Sequence, residues 1–344
     1  MKILHLINYA GSGGSEKYIE ILINDLLKRG DKVFFAFNNS GPLLDKLKKL
    51  DVTCFKIKMS SPFDIFASIK LNKICKKNKI DVIHTHFARE NYIAILSKIF
   101  GSKCKVVYTS HINLQNNSFW KFTNYFFIKK NYAIIAVCNS VKQLLIKNNY
   151  PENKIHIIFN GVKYVESEPK ILNNKDKIFV TLSRLSEEKG IEFLLETAKI
   201  SNQNFKIKIA GDGEYRGKLE EHIQKNNLKN VELLGHISNV EEFLENADVY
   251  INCSSSEALS FGILEAMSFS LPIIATNVGG NTDIIKNAEN GILVEFNNKE
   301  QLAKAMEDIL KEDVYTVCSE NSIKGVKNIF NIEETLKKTY DIYK

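Results

Sequence analysis

Cysteine is sparse in this chain of 344 residues, and it follows no pattern. The six cysteines are widely scattered, and no two of them form a CxxC pair. A disulfide framework or a cysteine zinc site would need close, regular spacing, so neither is indicated. We expect the cysteines to be small core residues instead. They are Cys54, Cys75, Cys104, Cys138, Cys253 and Cys318.

Long apolar runs are also absent. No uninterrupted stretch approaches the roughly 18 apolar residues of a membrane helix. The opening MKILHLINYA indicates a buried strand without the apolar region and cleavage site of a signal peptide. A content of 44% hydrophobic and 25% charged residues is typical of a soluble globular protein. We therefore expect a cytoplasmic protein, and a length of 344 residues predicts two domains with a cleft between them.

Charge of one sign dominates each half of the chain. Residues 1–163 hold 26 Lys and Arg against 10 Asp and Glu, whereas residues 164–344 hold 21 against 30, so the net charge of +7 conceals a basic half and an acidic half. The basic half is expected to face an anionic surface, such as nucleic acid, membrane phospholipid or a phosphorylated substrate. The alternative is that a lysine-rich composition decorates solvated faces, and the sequence leaves both open.

Short β-branched runs alternate with amphipathic segments along the whole chain. KILHLINY, KVVYTS and FKIKIA are typical of the predicted strands, and FASIKLNKICKKN is typical of the predicted helices. This alternation predicts an α/β protein of two doubly wound, Rossmann-like domains that face each other across a cleft. We predict a first domain at 1–163, a polar linker at 164–177, a second domain at 178–328 and a final helix at 329–344.

Two glycine-rich loops follow predicted strands. NYAGSGGSEKY carries Gly11, Gly13 and Gly14 and opens a helix, so its backbone amides can approach an anion closely. GDGEYRG carries Gly211 and Gly213 in a similar place. Neither loop matches the GxGxxG dinucleotide fingerprint, and each taken alone is more typical of a tight strand-to-helix turn.

A third loop, SRLSEEKG, places Arg184 and Lys189 between a strand and a helix. A guanidinium fork and a point charge near a helix N-terminus suit a diphosphate. The alternative is a surface turn with a Glu–Lys pair, and a motif this short leaves both open.

The segment SSSEALSFGILEAM carries two glutamates, Glu257 and Glu265, on either side of a helix start predicted near residues 260–262. Backbone amides at such a start favour an anion, and carboxylates suit sugar hydroxyls. The segment therefore predicts that each glutamate contacts a sugar hydroxyl and that the helix start between them contacts a phosphate. A glycosidase-like pair of carboxylates is the competing idea, which we reject because a helix N-terminus suits a phosphate better than a glycosidic oxygen.

These motifs together resemble the GT4 family of retaining glycosyltransferases, which have the GT-B fold. The resemblance rests on Glu257-x7-Glu265 and its continuation EAMSFSLPIIATNVGG, on SRLSEEKG, GDGE and GSGGSE, and on FNGV at residues 159–162, and it covers essentially the whole chain. It implies that the first domain binds an acceptor and that the second binds a nucleotide-sugar donor. It also implies that the final helix crosses back to the first domain.

The resemblance further implies roles for individual residues. Arg184 and Lys189 would neutralise the donor diphosphate, Glu257 would hold hydroxyls of the donor sugar, and Glu265 would hold those of the ribose. His111 would face the anomeric centre and act in catalysis with Glu257, Arg184 and Lys189. The remaining donor-binding positions implied by the family are Gly13, Gly14, Gly211, His236, Ile237, Leu259, Ser260, Phe261 and Gly262.

Three positions depart from the family pattern. Ala258 stands where a glycine is common, Cys253 where a proline is frequent, and Asp283 where glutamate is usual. None of them removes a charge from the implied clamp, but they leave the identity of the donor sugar open.

The activity implied is retaining transfer of a sugar from a nucleotide-diphosphate sugar, with a UDP-sugar favoured, to a lipid-linked or surface-polysaccharide acceptor at the inner face of the membrane. The chain has no DxD pair, so no metal or other cofactor is expected, and the cations would stabilise the leaving diphosphate. A nucleotide-sugar epimerase and a non-enzymatic nucleotide-binding protein are the alternatives. Nucleic acid is not an expected partner, because the second half is acidic and no recognition helix or RNA-binding signature is present.

Two histidines lie close together in DVIHTHF. His84 and His86 are predicted to point to opposite faces of a strand end, so that no metal pair forms. Together with His5, they are expected to be packed or hydrogen-bonded side chains.

The segment NNSFWKFTNYFFIKKNY concentrates aromatic residues and lysines around Trp120, the only tryptophan. Phe119, Phe122 and Phe126 share one helical face. The segment is predicted either as a helix buried between the sheet and the cleft, or as an interfacial helix that contacts an anionic membrane peripherally.

Overall fold

The computed structural model divides the chain into two compact units. Unit 1 comprises Met1–Phe159 and Thr335–Lys344, and unit 2 comprises Asn160–Glu334. The segment predicted as a linker, 164–177, thus lies in unit 2, and the end of the predicted final helix lies in unit 1. The structure describes residues 1–111, 118–164, 168–172, 177–201 and 205–344.

Unit 1 is built on a seven-stranded parallel sheet. Its strands are β1 (Lys2–Tyr9), β2 (Lys32–Asn39), β3 (Val52–Lys56), β4 (Val82–Thr85), β5 (Lys105–Ser110), β6 (Ala133–Ala136) and β7 (Ile155–Ile157). They follow the order β3-β2-β1-β4-β5-β6-β7. The central strands are buried along most of their length because helices cover both faces of such a sheet. The edge strand β7 has only three residues, too few for a periodic pattern, and the sequence did not predict it.

Helices connect the strands of unit 1. They are α1 (Gly14–Lys28), α2 (Pro42–Leu47), α3 (Ile65–Asn78), α4 (Ala88–Ile99), α5 (Ser118–Phe127) and α6 (Asn139–Lys147). Asp64 caps α3 by accepting a hydrogen bond from the Ala67 amide at 2.9 Å, which satisfies one of the free N–H groups at the helix start.

Unit 2 repeats the same architecture with a six-stranded parallel sheet. Its strands are β8 (Lys177–Leu182), β9 (Phe205–Ala210), β10 (Val231–Gly235), β11 (Val249–Asn252), β12 (Ile273–Thr276) and β13 (Gly291–Val294). Their order is β10-β9-β8-β11-β12-β13. The sequence did not predict β13, whose four residues include a glycine and lie at the sheet edge.

The helices of unit 2 begin with α7 and pack on both faces of its sheet. They are α7 (Ile191–Ala198), α8 (Arg216–Lys225), α9 (Val240–Glu245), α10 (Phe261–Ser268), α11 (Gly279–Ala288), α12 (Lys299–Asp308) and α13 (Glu312–Asn328), followed by α14 (Ile332–Tyr343). The last helix, α14, begins in unit 2 and ends in unit 1. Among the helices described, none has both the length and the hydropathy needed to cross a bilayer.

The two sheets confirm the predicted fold class of two doubly wound α/β units. None of the six cysteines is in a disulfide, and all but the half-buried Cys54 are buried, as expected for core residues. The strand order reverses between β1 and β4 in unit 1 and between β8 and β11 in unit 2. In sheets of this kind, ligands bind beyond the carboxyl ends of the strands at that reversal. The loops that follow these four strands are therefore the expected location of a ligand site.

Candidate active site

The loops after β8 and β11 meet through one ion pair at the reversal point of unit 2. Lys189 Nζ donates a hydrogen bond to Glu257 Oε1 at 2.6 Å. The two side chains are 22% and 11% exposed, so the pair is largely shielded but still reachable from solvent. The two charged residues that the sequence singled out separately are thus direct partners.

Backbone contacts fix the distance between these two loops. The Ser255 amide donates to the Glu188 carbonyl at 2.8 Å. Gly190 has a left-handed φ of +64°, and a Cβ at that position would lie 2.0 Å from the Cys253 carbonyl oxygen. Only glycine permits this approach, so the glycine that ends SRLSEEKG is what brings Lys189 against the β11 loop.

A buried polar network orients the Glu257 carboxylate. Ser254 Oγ donates to Glu257 Oε1 at 2.8 Å, and the Ser254 carbonyl accepts from Thr276 Oγ1 at 2.6 Å. Asn252 Oδ1 accepts from the Ser254 amide at 3.1 Å and from Asn281 Nδ2 at 3.0 Å. Ser254, the first residue of the serine run that precedes Glu257, was not predicted as a site residue.

The NVGG turn after β12 supports Glu257 from the other side. The Gly280 amide donates to the Glu257 carbonyl at 3.1 Å. A Cβ on Gly279, which has a φ of +49°, would lie 1.8 Å from that same oxygen. The family-like NVGG motif therefore acts here by holding the Glu257 backbone through glycines.

The helix after Glu257 starts where the sequence predicted. Ser260 is the N-cap of α10, and its Oγ accepts from the Ile263 amide at 3.4 Å. Gly262 packs so closely under Tyr250 that a Cβ would lie 2.2 Å from the Tyr250 Oη. Leu259 is buried, and the three residues Phe261, Gly262 and Glu265 are half-buried. The first amides of α10 and the side chain of Glu265 thus lie on the same short helix as the Ser260 cap.

Arg184 has a different partner from Lys189. Its Nη2 donates to Glu188 Oε1 at 2.6 Å, and the two side chains are 70% and 44% exposed. Burial alone would raise the pKa of Glu188, but hydrogen bonds from its own backbone, Ser186 and Arg184 outweigh it and lower that pKa. The two cations predicted to share a diphosphate are therefore each bound to a separate carboxylate.

The other predicted donor-binding residues of unit 2 lie around the ends of β9 and β10. The Gly211 amide donates to the Gly235 carbonyl at 2.8 Å, and a Cβ on Gly211 would lie 1.8 Å from the Ser183 carbonyl oxygen. His236 is exposed and Ile237 is half-buried. Gly211 therefore serves the packing of the loops after β8 and β9, and the structure describes no hydrogen bond from His236 or Ile237 to the Lys189–Glu257 pair.

In unit 1, the glycine loop after β1 carries its own carboxylate. Glu16 Oε2 accepts from the Gly13 amide at 3.0 Å and from Ser15 Oγ at 2.8 Å. Gly13 and Gly14 are exposed. The positive end of α1, where the sequence predicts an anion, thus already has a negative side chain on one amide.

Histidines within β1 and β4 and just after β4 and β5 form a cluster, and the prediction that His84 and His86 point to opposite faces is wrong. Residues two apart along a strand lie on the same face, and the two ring centroids are 4.4 Å apart. His5 Nδ1 lies 3.1 Å from His86 Nε2, and His86 Nδ1 lies 3.4 Å from His111 Nε2. His111, the predicted catalytic histidine, is therefore the outer end of a hydrogen-bonded chain of imidazoles.

Burial keeps these imidazoles neutral. It lowers the pKa of His5 and of His111 to about 3, and it lowers those of His84 and His86 well below the ordinary value, with smaller contributions from the neighbouring histidines. A neutral imidazole has one donor and one acceptor nitrogen. A chain of them can therefore fix which nitrogen of His111 carries its proton.

The same cluster has the composition of a metal site. Ligand atoms of His5, His84 and His86 all lie within 4.8 Å of one another. However, both ring nitrogens of His84 are in hydrogen bonds, to Tyr343 Oη at 2.6 Å and to Thr109 Oγ1 at 2.7 Å. Binding an ion through His84 would break one of these bonds, so the described geometry fits hydrogen bonding better than ligation.

The fold and this site define a class of protein: two doubly wound α/β units, with a Lys–Glu ion pair at the strand reversal of unit 2. Two family models match the chain. The model described as glycosyl transferases group 1 matches residues 164–325, and the model for glycosyltransferase family 4 matches residues 12–164.

Curated relatives and solved structures agree with these models. The UDP-Gal:alpha-D-GlcNAc-diphosphoundecaprenol alpha-1,3-galactosyltransferase of Escherichia coli is 29% identical, over 88% of this chain and 86% of that protein. A glycosyltransferase structure from Rickettsia africae has a TM-score of 0.85 at 26% identity, with 99% and 97% of the two chains covered. The Anabaena protein HepE in complex with UDP has a TM-score of 0.85 at 18% identity, with 99% of each chain covered, which shows a shared fold. The chain belongs to the GT4-type glycosyltransferases with the GT-B fold.

Proposed function

We propose that this glycosyltransferase transfers a sugar, with retention, from a nucleotide-diphosphate sugar to a lipid-linked or surface-polysaccharide acceptor at the cytoplasmic face of the membrane. A UDP-sugar is the proposed donor. The proposal rests chiefly on the Lys189–Glu257 pair at the strand reversal of unit 2. The name of the E. coli relative, with its UDP-galactose donor, diphosphoundecaprenol-linked acceptor and α-1,3 linkage, supports the proposed donor and the lipid-linked acceptor.

The Lys189–Glu257 pair has further hydrogen-bonding groups for the diphosphate and for the sugar of a nucleotide sugar. An ammonium has three N–H donors, so Lys189 can donate to a phosphate while it stays bound to Glu257. Glu257 Oε1 accepts from Lys189 and from Ser254, and no described residue hydrogen-bonds to its Oε2. That oxygen is the proposed acceptor for a hydroxyl of the donor sugar, and Glu265 is proposed to hold the ribose.

The proposed reaction follows from this arrangement of charges. As the bond between the anomeric carbon and the diphosphate oxygen breaks, the acceptor hydroxyl oxygen bonds to the same face of that carbon. Its proton passes to the departing phosphate oxygen, and the products are the glycoside and a nucleoside diphosphate. Negative charge builds on the leaving oxygen, where Lys189, Arg184 and the amides of Phe261 and Gly262 at the start of α10 stabilise it.

His111 is proposed to bind close to the anomeric centre. Its imidazole is neutral and hydrogen-bonded from behind by His86. A neutral ring can donate or accept one hydrogen bond at a sugar hydroxyl without introducing a charge. It therefore complements the proton transfer to phosphate instead of competing with it.

The acceptor is proposed to be reached from a membrane surface through α5. Phe119, Phe122 and Phe126 are each more than half exposed on that helix, and the exposed Lys129 and Lys130 follow it directly. Aromatic rings beside lysines suit an anionic bilayer surface. We propose peripheral contact there, made by the basic unit 1.

A thermal-shift panel of UDP-, GDP- and ADP-sugars tests the donor. A true donor raises the melting temperature by mass action, and we expect UDP-sugars to do so most strongly. Product analysis with a lipid-linked acceptor then distinguishes transfer from epimerisation, because an epimerase would release an altered nucleotide sugar without using the acceptor. Stabilisation by none of the nucleotide sugars would overturn the proposal.

Sedimentation with vesicles tests the membrane contact. Binding to anionic vesicles is expected to exceed binding to neutral ones and to weaken as salt rises. Phe122→Ser should reduce it, whereas Val317→Ser, which removes an exposed apolar side chain from unit 2, should not. Equal binding to neutral and anionic vesicles would contradict the membrane part alone.

A further inference from the structure

The helix α5 has two aromatic sides. Its outer side carries the exposed rings described above, and its inner side carries Trp120 and Phe127, which are half-buried. Trp120 stacks on Phe63 with a centroid distance of 6.0 Å and an interplanar angle of 16°, and it lies 5.5 Å from the ring of Tyr92. Phe63 leads into α3, whose first residues Ile65 and Phe66 are also exposed. The outer apolar surface thus continues from α5 to the start of α3.

A cavity of about 140 Å³ lies behind this surface, between the start of α4 and α5. Its walls include Ala88, Tyr92, Trp120 and Tyr150. An apolar cavity of about 150 Å³ holds one benzene-sized molecule. The cavity in unit 1 therefore has room for a compact apolar group of five or six carbons, and it is far too small for a sugar nucleotide.

One cation lines this cavity, whose other polar lining residues besides the tyrosines are the uncharged Asn124 and Asn148. Arg89 contributes to its wall and is half-buried. Its guanidinium makes no hydrogen bond or ion pair with any residue in the described ranges. A partly desolvated guanidinium is stabilised by an anion and can bind a phosphate through two N–H groups at once. The site thus calls for an anion directly attached to a small apolar group.

Resting on the proposed function, we infer that this cavity binds the first isoprenoid unit of a polyprenyl phosphate, the lipid part of the acceptor, with its phosphate on Arg89. A branched five-carbon unit matches the cavity volume, and a phosphate on the same unit matches the guanidinium beside it. The rest of the chain would lie along the exposed rings of α5, where a bilayer is expected. A molecule complements both the cavity and the Arg89 guanidinium only when it carries the apolar unit and the phosphate together.

The single tryptophan makes this inference directly measurable. Trp120 lines the cavity, so its fluorescence should respond to occupancy of this site. Farnesyl phosphate, used below its aggregation threshold, is expected to change the emission saturably. Farnesol should bind at least tenfold more weakly because it lacks the anion, and inorganic phosphate should leave the emission unchanged. Equal affinity for farnesyl phosphate and farnesol, or no saturable change, would overturn the assignment.

Two variants separate the anionic and the apolar parts of the site. Arg89→Gln should weaken farnesyl phosphate binding at least tenfold, whereas Arg29→Gln, at an arginine of unit 1 that pairs with Asp25, should not. Ala88→Leu fills part of the cavity and should weaken both farnesyl phosphate and farnesol. Melting temperatures within a few degrees of the parent protein show that each variant is folded, and unchanged binding in folded Arg89→Gln and Ala88→Leu proteins would refute the site.

The same protein sample distinguishes this inference from the proposed function. If a UDP-sugar stabilises the protein and farnesyl phosphate does not affect Trp120, the cavity assignment fails and the glycosyltransferase proposal stands. If farnesyl phosphate binds as expected and no nucleotide sugar does, the donor proposal fails while the lipid site stands.

Discussion

The two strand reversals of this protein have the same topology but different electrostatics, since charged pairs line one of them and neutral side chains line the other. In unit 2, the loops after β8 and β11 carry ionised side chains in pairs, Lys189 with Glu257 and Arg184 with Glu188. In unit 1, strands β1 and β4 and the segments just after β4 and β5 carry imidazoles that burial keeps neutral. The fold therefore supplies the position of a site, while the side chains decide whether that position suits an anion.

This difference follows from the cost of burying charge. An ion in a protein interior must be paired or it becomes neutral, and each unit uses one of these solutions. Unit 2 keeps its charges partly exposed and paired, so that cations are already in place for the diphosphate of the proposed donor. Unit 1 keeps its interior neutral, and the buried carboxyl of Glu90 follows the same rule, since burial raises its pKa to about 7.

The largest effect is expected from breaking the charged pair of unit 2. Lys189→Met should lower kcat/KM by about 10²–10³-fold, the loss typical when one group that stabilises transition-state charge is removed. Steady-state transfer assays with a matched variant, Lys199→Met, test this, because Lys199 is an exposed lysine of unit 2 that pairs with Glu196. Lys189→Met activity above about a tenth of the parent value would contradict the role given to the pair.

The neutral interior of unit 1 predicts that the free energy of unfolding falls as the pH rises. The pKa of Glu90 is about 7 in the folded state and 4.5 ordinarily, so the folded state binds more protons between these values. Stability is therefore highest below the ordinary pKa and falls as pH rises through 7. A shift of this size corresponds to roughly 3 kcal/mol.

Glu90→Gln should remove this loss between about pH 5 and about pH 8. Urea unfolding followed by Trp120 fluorescence measures it, since that tryptophan lies in unit 1. The exposed Glu152 of unit 1 offers the control Glu152→Gln, which should keep the dependence of the parent protein. An unchanged pH dependence in Glu90→Gln would show that Glu90 is not the group responsible.

The buried histidines predict a second effect, in which the free energy of unfolding falls as the pH is lowered. His5 has a pKa of about 3 in the folded state and 6.5 ordinarily, so the unfolded state binds more protons below 6.5. Its contribution to stability is complete above 6.5 and is progressively lost as pH falls, by about 2 kcal/mol at about pH 5. His5→Asn should reduce the acid sensitivity of the Trp120 transition by that amount, whereas His156→Gln, at an exposed histidine of unit 1, should leave it as it was.

The contrast between the units also shows which parts of the molecule the sequence could predict. Strands such as β1 and β5, and the start of α10 at Phe261, were predicted correctly because periodicity and capping are local properties. The short edge strands β7 and β13 were missed because a few residues at a sheet edge carry no periodic signal. Their pairing depends on neighbours distant in sequence.

Site residues divide in the same way. Lys189 and Glu257 were found because their motifs are recognisable, but their contact spans 68 positions in sequence and no local pattern contains it. The same holds for the histidine cluster, in which His5 meets His86 across 81 positions. The error about His84 and His86 was of another kind, since the two-residue period of a strand already places them on one face.

The smallest effect is expected from the exposed pair of unit 2, and it tests whether Arg184 is a ligand of the diphosphate at all. Glu188→Gln should change the free energy of unfolding by less than about 1 kcal/mol, because exposed pairs contribute little. If Glu188 competes with the donor for the Arg184 guanidinium, the same variant should bind UDP about 1.4-fold to fivefold more tightly, because freeing Arg184 returns the roughly 0.2–1 kcal/mol of the pair to the ligand. Calorimetric titration measures this, with Glu192→Gln as the control, since Glu192 forms an exposed pair with Lys218 in the same unit. Equal UDP affinity in the parent protein and both variants would place Arg184 outside the phosphate site and leave Lys189 as the cation that the proposed donor contacts.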